Sequence, residues 1–444
     1  MNRNEAPATQ FVNLESLPTV VSQKMDNGTP LYLIPVSGTE IVRVDFMFNG
    51  GAWVQELPMQ ALLTMRLIKD GTTSRSVKQI NEQLDFYGAS FSSVVYKTYS
   101  LISVLCLKKY LSHVIDIVQD ILRNPVFDSN SFQIALQQAY ANFMIKKDRV
   151  KAQGERVFYE TLFGKQHPMA AFERQEHFEM MATQHLMNYY LKCVNAANCR
   201  IFITGGYDDD AVLLVMRTFG KEAWGKQIDP VDISPVNPVE KPFEQLGLDD
   251  EDGQLKVDVQ HNRVNFSMSQ PTVQSALYAG CVMPKLEGKD RAYMILANML
   301  FGGFFGSRLM NNIRENKGYT YGINSALVAN PFFTLFCIQT ETANQFVDNV
   351  IKEIKFEMER IARELPSEEE LEIVKKYYSG SICRIYEANF SFTNQLIKKI
   401  GVGNMDNDTI ETLKLMKEAS PEHIRNVMQR YLNPNNVIWC VAGN

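Results

Sequence analysis

The chain repeats itself. Residues His185 to Gly205 read HLMNYYLKCVNAANCRIFITG, and residues His423 to Gly443 read HIRNVMQRYLNPNNVIWCVAG. His185/His423, Asn188/Asn426, Asn195/Asn433, Asn198/Asn436 and Gly205/Gly443 recur at one spacing. Each segment reads as an amphipathic helix, an Asn-rich turn and a short apolar strand that stops at glycine. A second echo precedes each of these. SVLCL at 103–107 is followed by helically spaced Val114, Ile115, Val118 and Leu122, and TLFCI at 334–338 by Phe346, Val347, Val350 and Ile354. Two echoes in the same order describe a duplication. The expected fold class is therefore α+β: two duplicated domains, each an antiparallel-rich sheet with helices packed on one face.

At 444 residues the chain exceeds what one core serves. The expected division is a first domain over 1–225, a linker over 226–253 and a second domain over 254–444. The linker segment carries Pro230, Pro235, Pro238 and Pro242, then the acidic run Asp249, Asp250, Glu251, Asp252. Such a composition predicts an extended, solvated connection, a passive tether rather than a hinge.

Among helix signals, Ser76 precedes Val77, Ile80, Leu84 and Tyr87, and Gly88 closes that segment. Ser367 with Glu370 three residues on predicts a capping box for a helix running to Glu387.

A net charge of −5 gives no reason to expect a nucleic-acid surface. No apolar run is long enough for a spanning helix, and no leader is visible at the N-terminus. The seven cysteines are an odd number with no CxxC pair, which predicts neither a disulfide framework nor a zinc ribbon. Cys106, Cys337 and Cys440 read as reduced core residues. These features lean toward the cytoplasm, although the compartment is left open. The six histidines show no HxxxH or HxH spacing. Glu173 and His177 come nearest to a ligand pair and read as an exposed i,i+4 contact. His185 and His423 share a repeat position, which predicts a structural role. No metal is expected in this chain.

Two stretches carry a family likeness: LFGGFFGSRLMNNIRENKGYTYGI at 300–323 and LLTMRLIKDGTTSRSVKQINEQLDFYGA at 62–89. Both resemble the pitrilysin-type zinc metallopeptidases, near the mitochondrial processing peptidase and its bacterial two-chain relatives. Active members carry H-x-x-E-H five residues before a G-T pair. Here that pair is Gly71-Thr72, and the motif positions hold Leu62, Met65 and Arg66. The family's later glutamate ligand aligns with Asn142, within one residue. Leucine has no lone pair, methionine no carboxylate, and arginine is a permanent cation. By the same resemblance Arg314 and Tyr321, seven residues apart, match the pair that binds the peptide carbonyl and stabilises the tetrahedral intermediate. Tyr319, two residues from Tyr321 in a strand, is expected to share its face.

The resemblance implies a heterodimer. A homologous chain bearing H-x-x-E-H would hold the zinc, this chain would supply Arg314 and Tyr321, and the substrate would be an unfolded peptide. Two other readings stay open: a structural or assembly subunit, like the core proteins of the respiratory cytochrome complex, and a module that binds peptide without cutting it. Gly302, Gly303 and Gly306 read as a tight bend before a helix rather than a phosphate nest, since no P-loop pattern surrounds them. The family adds peptide to a sheet edge; in this chain that edge reads as idle.

Overall fold

The computed structural model describes residues 10–14, 16–226, 229–240, 242–243, 246, 249–250, 253–388, 390–404 and 409–443. The first half supplies β1 (Val21–Lys24), β2 (Pro30–Pro35), β3 (Ile41–Asn49), β4 (Ser90–Val95), β5 (Tyr99–Leu107) and β6 (Cys199–Gly205). The second supplies β7 (Asp249–Asp250), β8 (Gly253–Asp258), β9 (Arg263–Met268), β10 (Gln274–Pro284), β11 (Thr320–Ala329), β12 (Phe333–Ala343) and β13 (Ile438–Gly443).

The sheets run β1-β2-β6-β3-β5-β4 and β11-β12-β10-β13-β9-β8-β7. Setting aside the two-residue β7, one order maps onto the other strand for strand. The single parallel pairing of each sheet maps as well, β2 with β6 and β9 with β13. The duplication is thus written in the topology.

The Asn-rich repeat has a shared mechanism. The Oδ1 atoms of Asn195 and Asn433 accept from Asn198 N–H (3.0 Å) and Asn435 N–H (2.9 Å), starting a 3₁₀ turn in each half. His185 and His423 also act alike. Each Nδ1 accepts the backbone N–H three residues earlier, from Ala182 and Ser420, at 3.1 Å. These are helix caps, as the structural reading of the two histidines requires.

Strand β3 reads IVRVDFMFN, too apolar for a strand with one wet face, and its middle seven residues are all buried. Side chains alternate along a strand. Val42, Val44, Phe46 and Phe48 meet the half's own helices, among them Val114, Val118 and Ile121 of helix Leu111–Arg123. Met47 points the other way and meets Phe392, Leu396, Ile397 and Ile400, which belong to the second half. The exchange is mutual. Val157, Phe158 and Leu162 of helix Val150–Phe163 pack on Ala276, Tyr278 and Cys440 of the second sheet. Each half's own helices therefore cover one sheet face, and one helix lent by the other half covers the second face.

Glycine sets the approach distance in both exchanges. A Cβ on Gly154 would sit 3.0 Å from the Tyr278 ring, and one on Gly401 2.2 Å from the Tyr99 ring. The lent helix Val150–Phe163 also carries charge. Glu160 accepts from Arg156 (3.2 Å) and Arg174 (2.5 Å), and the Arg156 guanidinium lies 5.3 Å from the Phe266 ring centroid.

The linker departs from the expected tether. Most of its described residues are irregular, with a turn at Pro242-Phe243, but they are bound. Ser234 C=O accepts from Trp53 Nε1 (3.1 Å), Val236 C=O bonds the His167 ring at 2.9 Å, and Val231 N–H donates to Asn198 (3.1 Å). Ile233, Phe243 and Leu246 join the core between the halves. Apolar residues spaced among the prolines give the segment a surface to bury, so it is a strap rather than a free connection. Residues 227, 228, 241, 244, 245, 247, 248, 251 and 252, including the last two of the acidic run, lie outside the described residues. The N-terminal arm adds a second strap: Val12 N–H donates to Ser379 Oγ (3.1 Å), and Leu17 and Val20 pack under helix Ser391–Gly401.

Candidate functional site

Arg314 sits on a π-helical turn, Met310–Asn316, and Tyr321 on the first residues of β11. Such wide turns are often found at functional sites. Gly318 joins the two elements with φ +64°, and Tyr319 N–H returns to Ile313 C=O (3.0 Å). The pair therefore stands on either side of one tight turn, on elements packed against each other.

The two side chains are held very differently. The Arg314 guanidinium bonds Glu315 Oε1 (2.6 Å) and lies 4.8 Å from the Phe305 ring centroid. Tyr321 is 91% exposed. Tyr319 does not join it, contrary to the alternation expected. The register between β11 and β12 slips between Thr320 and Ile323. Tyr319 instead stacks on Phe346 at 4.8 Å, and its C=O accepts from Thr342 Oγ1 (2.6 Å). A bulge resets which side chains share a face.

The underside of the Arg314 turn is anchored by residues that sequence reasoning passed over. Asn312 Nδ2 donates to Glu357 (2.8 Å) and Glu353 (3.1 Å), and Lys317 pairs with Glu353 (2.7 Å). Burial pushes the Glu357 carboxyl upward, against the lowering bond from Asn312. Arg308 of the G-S-R-L stretch makes a two-pronged pair with Glu370, at 2.7 and 2.8 Å. This corrects the expected capping box. Ser367 Oγ does accept from Glu370 N–H (3.1 Å), but the Glu370 carboxylate is taken by Arg308. Arg308 and Asn312 are four residues apart, so they share a helix face; that spacing is the signal that could have marked them as anchors.

In the first half, helix Gln60–Leu67 carries the three degenerate motif positions. Leu62 is exposed, Met65 is buried, and Arg66 bonds Gln138 on helix Ser129–Lys147, the helix that also carries exposed Asn142. A guanidinium donates only. These residues do not fit a zinc ion. The described residues also contain no group of three or more His, Cys, Asp or Glu placed to hold a metal. His177 is accounted for differently than expected: its Nδ1 caps the Arg174 N–H (3.0 Å), and its nearest carboxylate is Glu176 at 3.8 Å rather than Glu173.

Thr72 of the Gly71-Thr72 pair has structural work of its own. Asp120 accepts from Thr72 Oγ1 (2.6 Å), Ser74 Oγ (2.6 Å), Arg75 (2.7 Å) and Asn124 (3.0 Å), which ties the loop after the motif helix to helix Leu111–Arg123. Burial alone would raise the Asp120 carboxyl, but the bonds from Ser74, Thr72, Asn124 and Arg75 outweigh it and hold it at about 2, below its ordinary 3.8. A group held below its unfolded value stabilises the fold above that value and loses the contribution as pH falls through the folded one. Acid titration of the wild type should lose stability between pH ~4 and ~2, and Asp120→Asn should flatten that segment of the curve. At pH 7, Asp120→Ala should cost about 3 kcal/mol by chemical denaturation, because it strands the donors it served.

Residues 181–378 match the peptidase M16 inactive domain. That stretch of the chain resembles the inactive domain of M16 peptidases. The chain is 22% identical over 306 residues to an uncharacterized zinc protease of Rickettsia felis, covering 67% of each chain. Its fold is that of the peptidase M16 inactive domain from Pseudomonas fluorescens, with TM-score 0.80, 20% identity and 96% and 98% of the two chains covered. A chain of complex III2 from Candida albicans also shares the fold, with TM-score 0.71, 12% identity and 96% of each chain covered.

Proposed function

We propose that this M16-type chain is the non-zinc subunit of a two-chain peptidase. It lends Arg314 and Tyr321 to a homologous partner that carries H-x-x-E-H and cleaves unfolded peptides. The observation that carries the reading is the contrast between the halves. The first has Leu62, Met65, Arg66 and Asn142 where ligands would stand. The second keeps Arg314 and Tyr321 on adjoining elements, with Tyr321 91% exposed. An exposed phenol on a sheet edge gains nothing for this chain alone, whereas covered by a partner it becomes one hydrogen-bond donor in a drier site. The guanidinium and the phenol together supply donors for an oxygen on which negative charge grows. The zinc and its activated water, which provide the nucleophile, belong in this reading to the partner.

Two experiments bear on it. Purification of the chain from its native lysate should bring down a near-stoichiometric homologue with H-x-x-E-H. Recovery of a membrane complex without such a homologue would favour the scaffold reading, which the fold shared with a complex III2 chain also fits. In the reconstituted pair, Tyr321→Phe should lower kcat/KM roughly tenfold or more while subunit association, followed by gel filtration, stays unchanged.

A further inference from the structure

We infer that Phe305 is a positioning residue for Arg314, a role that rests on the reading of Arg314 given above. The stretch Gly302-Gly303-Phe304-Phe305-Gly306 runs into the helix that bears Arg314. Phe304 packs on Tyr377 with centroids 5.1 Å apart, so the loop is anchored at its base. Gly306 C=O accepts from Asn311 Nδ2 (3.1 Å), which pins the other end to the turn before Arg314. A Cβ on Gly306 would lie 2.8 Å from the Phe304 ring, so a larger residue there would have to push that ring aside.

Between these two anchors Phe305 is turned outward and is 66% exposed. What lies over the ring is the Arg314 guanidinium, 4.8 Å from the centroid. A planar cation over an aromatic face is held by the ring quadrupole. Glu315 takes one nitrogen of the same fork at 2.6 Å. Face and one edge are therefore fixed. A guanidinium has five N–H donors, so others remain for a peptide carbonyl. The long arginine side chain would otherwise sample many rotamers, and holding it in one removes that entropy from the bound state.

The test uses the reconstituted two-chain complex and a quenched-fluorescent unfolded peptide. Phe305→Leu keeps apolar bulk and removes the quadrupole, whereas Phe305→Trp keeps an aromatic face. We expect F305L to lower kcat roughly 5- to 10-fold with little change in KM, and F305W to restore it. In an Arg314→Ala background, F305L should have no further effect. The full chain alone offers a second readout: upfield ring-current shifts of the Arg314 side-chain protons, present in the wild type and F305W and lost in F305L. If F305L is as damaging without Arg314 as with it, Phe305 acts on substrate directly and the proposal is overturned. An unchanged kcat in F305L, with R314A impaired, overturns it while leaving the proposed function standing. If R314A itself is fully active, the proposed function fails and this role fails with it.

Discussion

Arg314→Ala in the reconstituted complex should lower kcat/KM by roughly 10²-fold while zinc content and subunit association stay at wild-type levels. The side chain reaches its turn's outer face while Asn312 and Lys317 anchor the inner one, so truncation removes donors without loosening the turn. Its partners, Glu315 and Phe305, are 50% exposed in the side chain and 66% exposed respectively. Neither is left buried and unpaired, so stability should hardly move. Under the proposed function the loss should fall mainly on kcat, since a donor aimed at a developing oxyanion is worth more in the transition state than in the bound substrate. Arg314→Lys should recover only part of the rate, because an ammonium lacks the planar fork. Metal content by atomic emission and association by gel filtration check that only the donor has gone. Full activity in the alanine variant would return Arg314 to a surface residue.

Phe158→Ala should destabilise the chain by about 3–5 kcal/mol in chemical denaturation. Phe158 is fully buried, belongs to the first half by sequence, and packs on the sheet of the second. A cavity there opens where the halves interpenetrate. If the halves were independent, one transition of two would shift. The mutual loan of helices instead predicts that fluorescence of Trp53, in the core shared by the halves, and far-UV circular dichroism report one coincident transition, displaced as a whole. A variant in which the two probes separate would show that the halves unfold apart and that the lent helices contribute little.

The repeat and the two sheets were legible because each rests on local signals. The Asn195 and Asn433 turns, the Ser76 cap and the alternating strands depend on residues a few positions apart. Ser76 indeed forms its capping box with Gln79. The destination of helix Val150–Phe163 was not legible. Its apolar residues mark a face to be buried but carry no information about which sheet receives it. The linker misled for a related reason: its prolines suggested a free connection, while its bonds to Trp53, His167 and Asn198 are contacts with distant residues. At the candidate site, Arg314 and Tyr321 were singled out by the motif they match, and the structure places them on adjoining elements. The bulge that turns Tyr319 away could not be read from spacing, and Glu370 showed its cap signature but not the pull of Arg308.

The lent helices also order the events of synthesis. The first sheet is complete in sequence at Gly205, yet one of its faces waits for residues 391–401. Until those leave the ribosome, Met47, Tyr99 and Phe202 have only Leu17 and Val20 of the N-terminal arm and Tyr32 for cover. A nascent chain translated through the first half thus carries an apolar plate in water for the time taken to add nearly two hundred residues, on the order of 10–40 s at ordinary elongation rates. Such surface attracts chaperones or other chains before it meets its own helix. Genetic separation of the halves into two polypeptides would make that wait depend on concentration, and soluble yield should then rise when both pieces are made together.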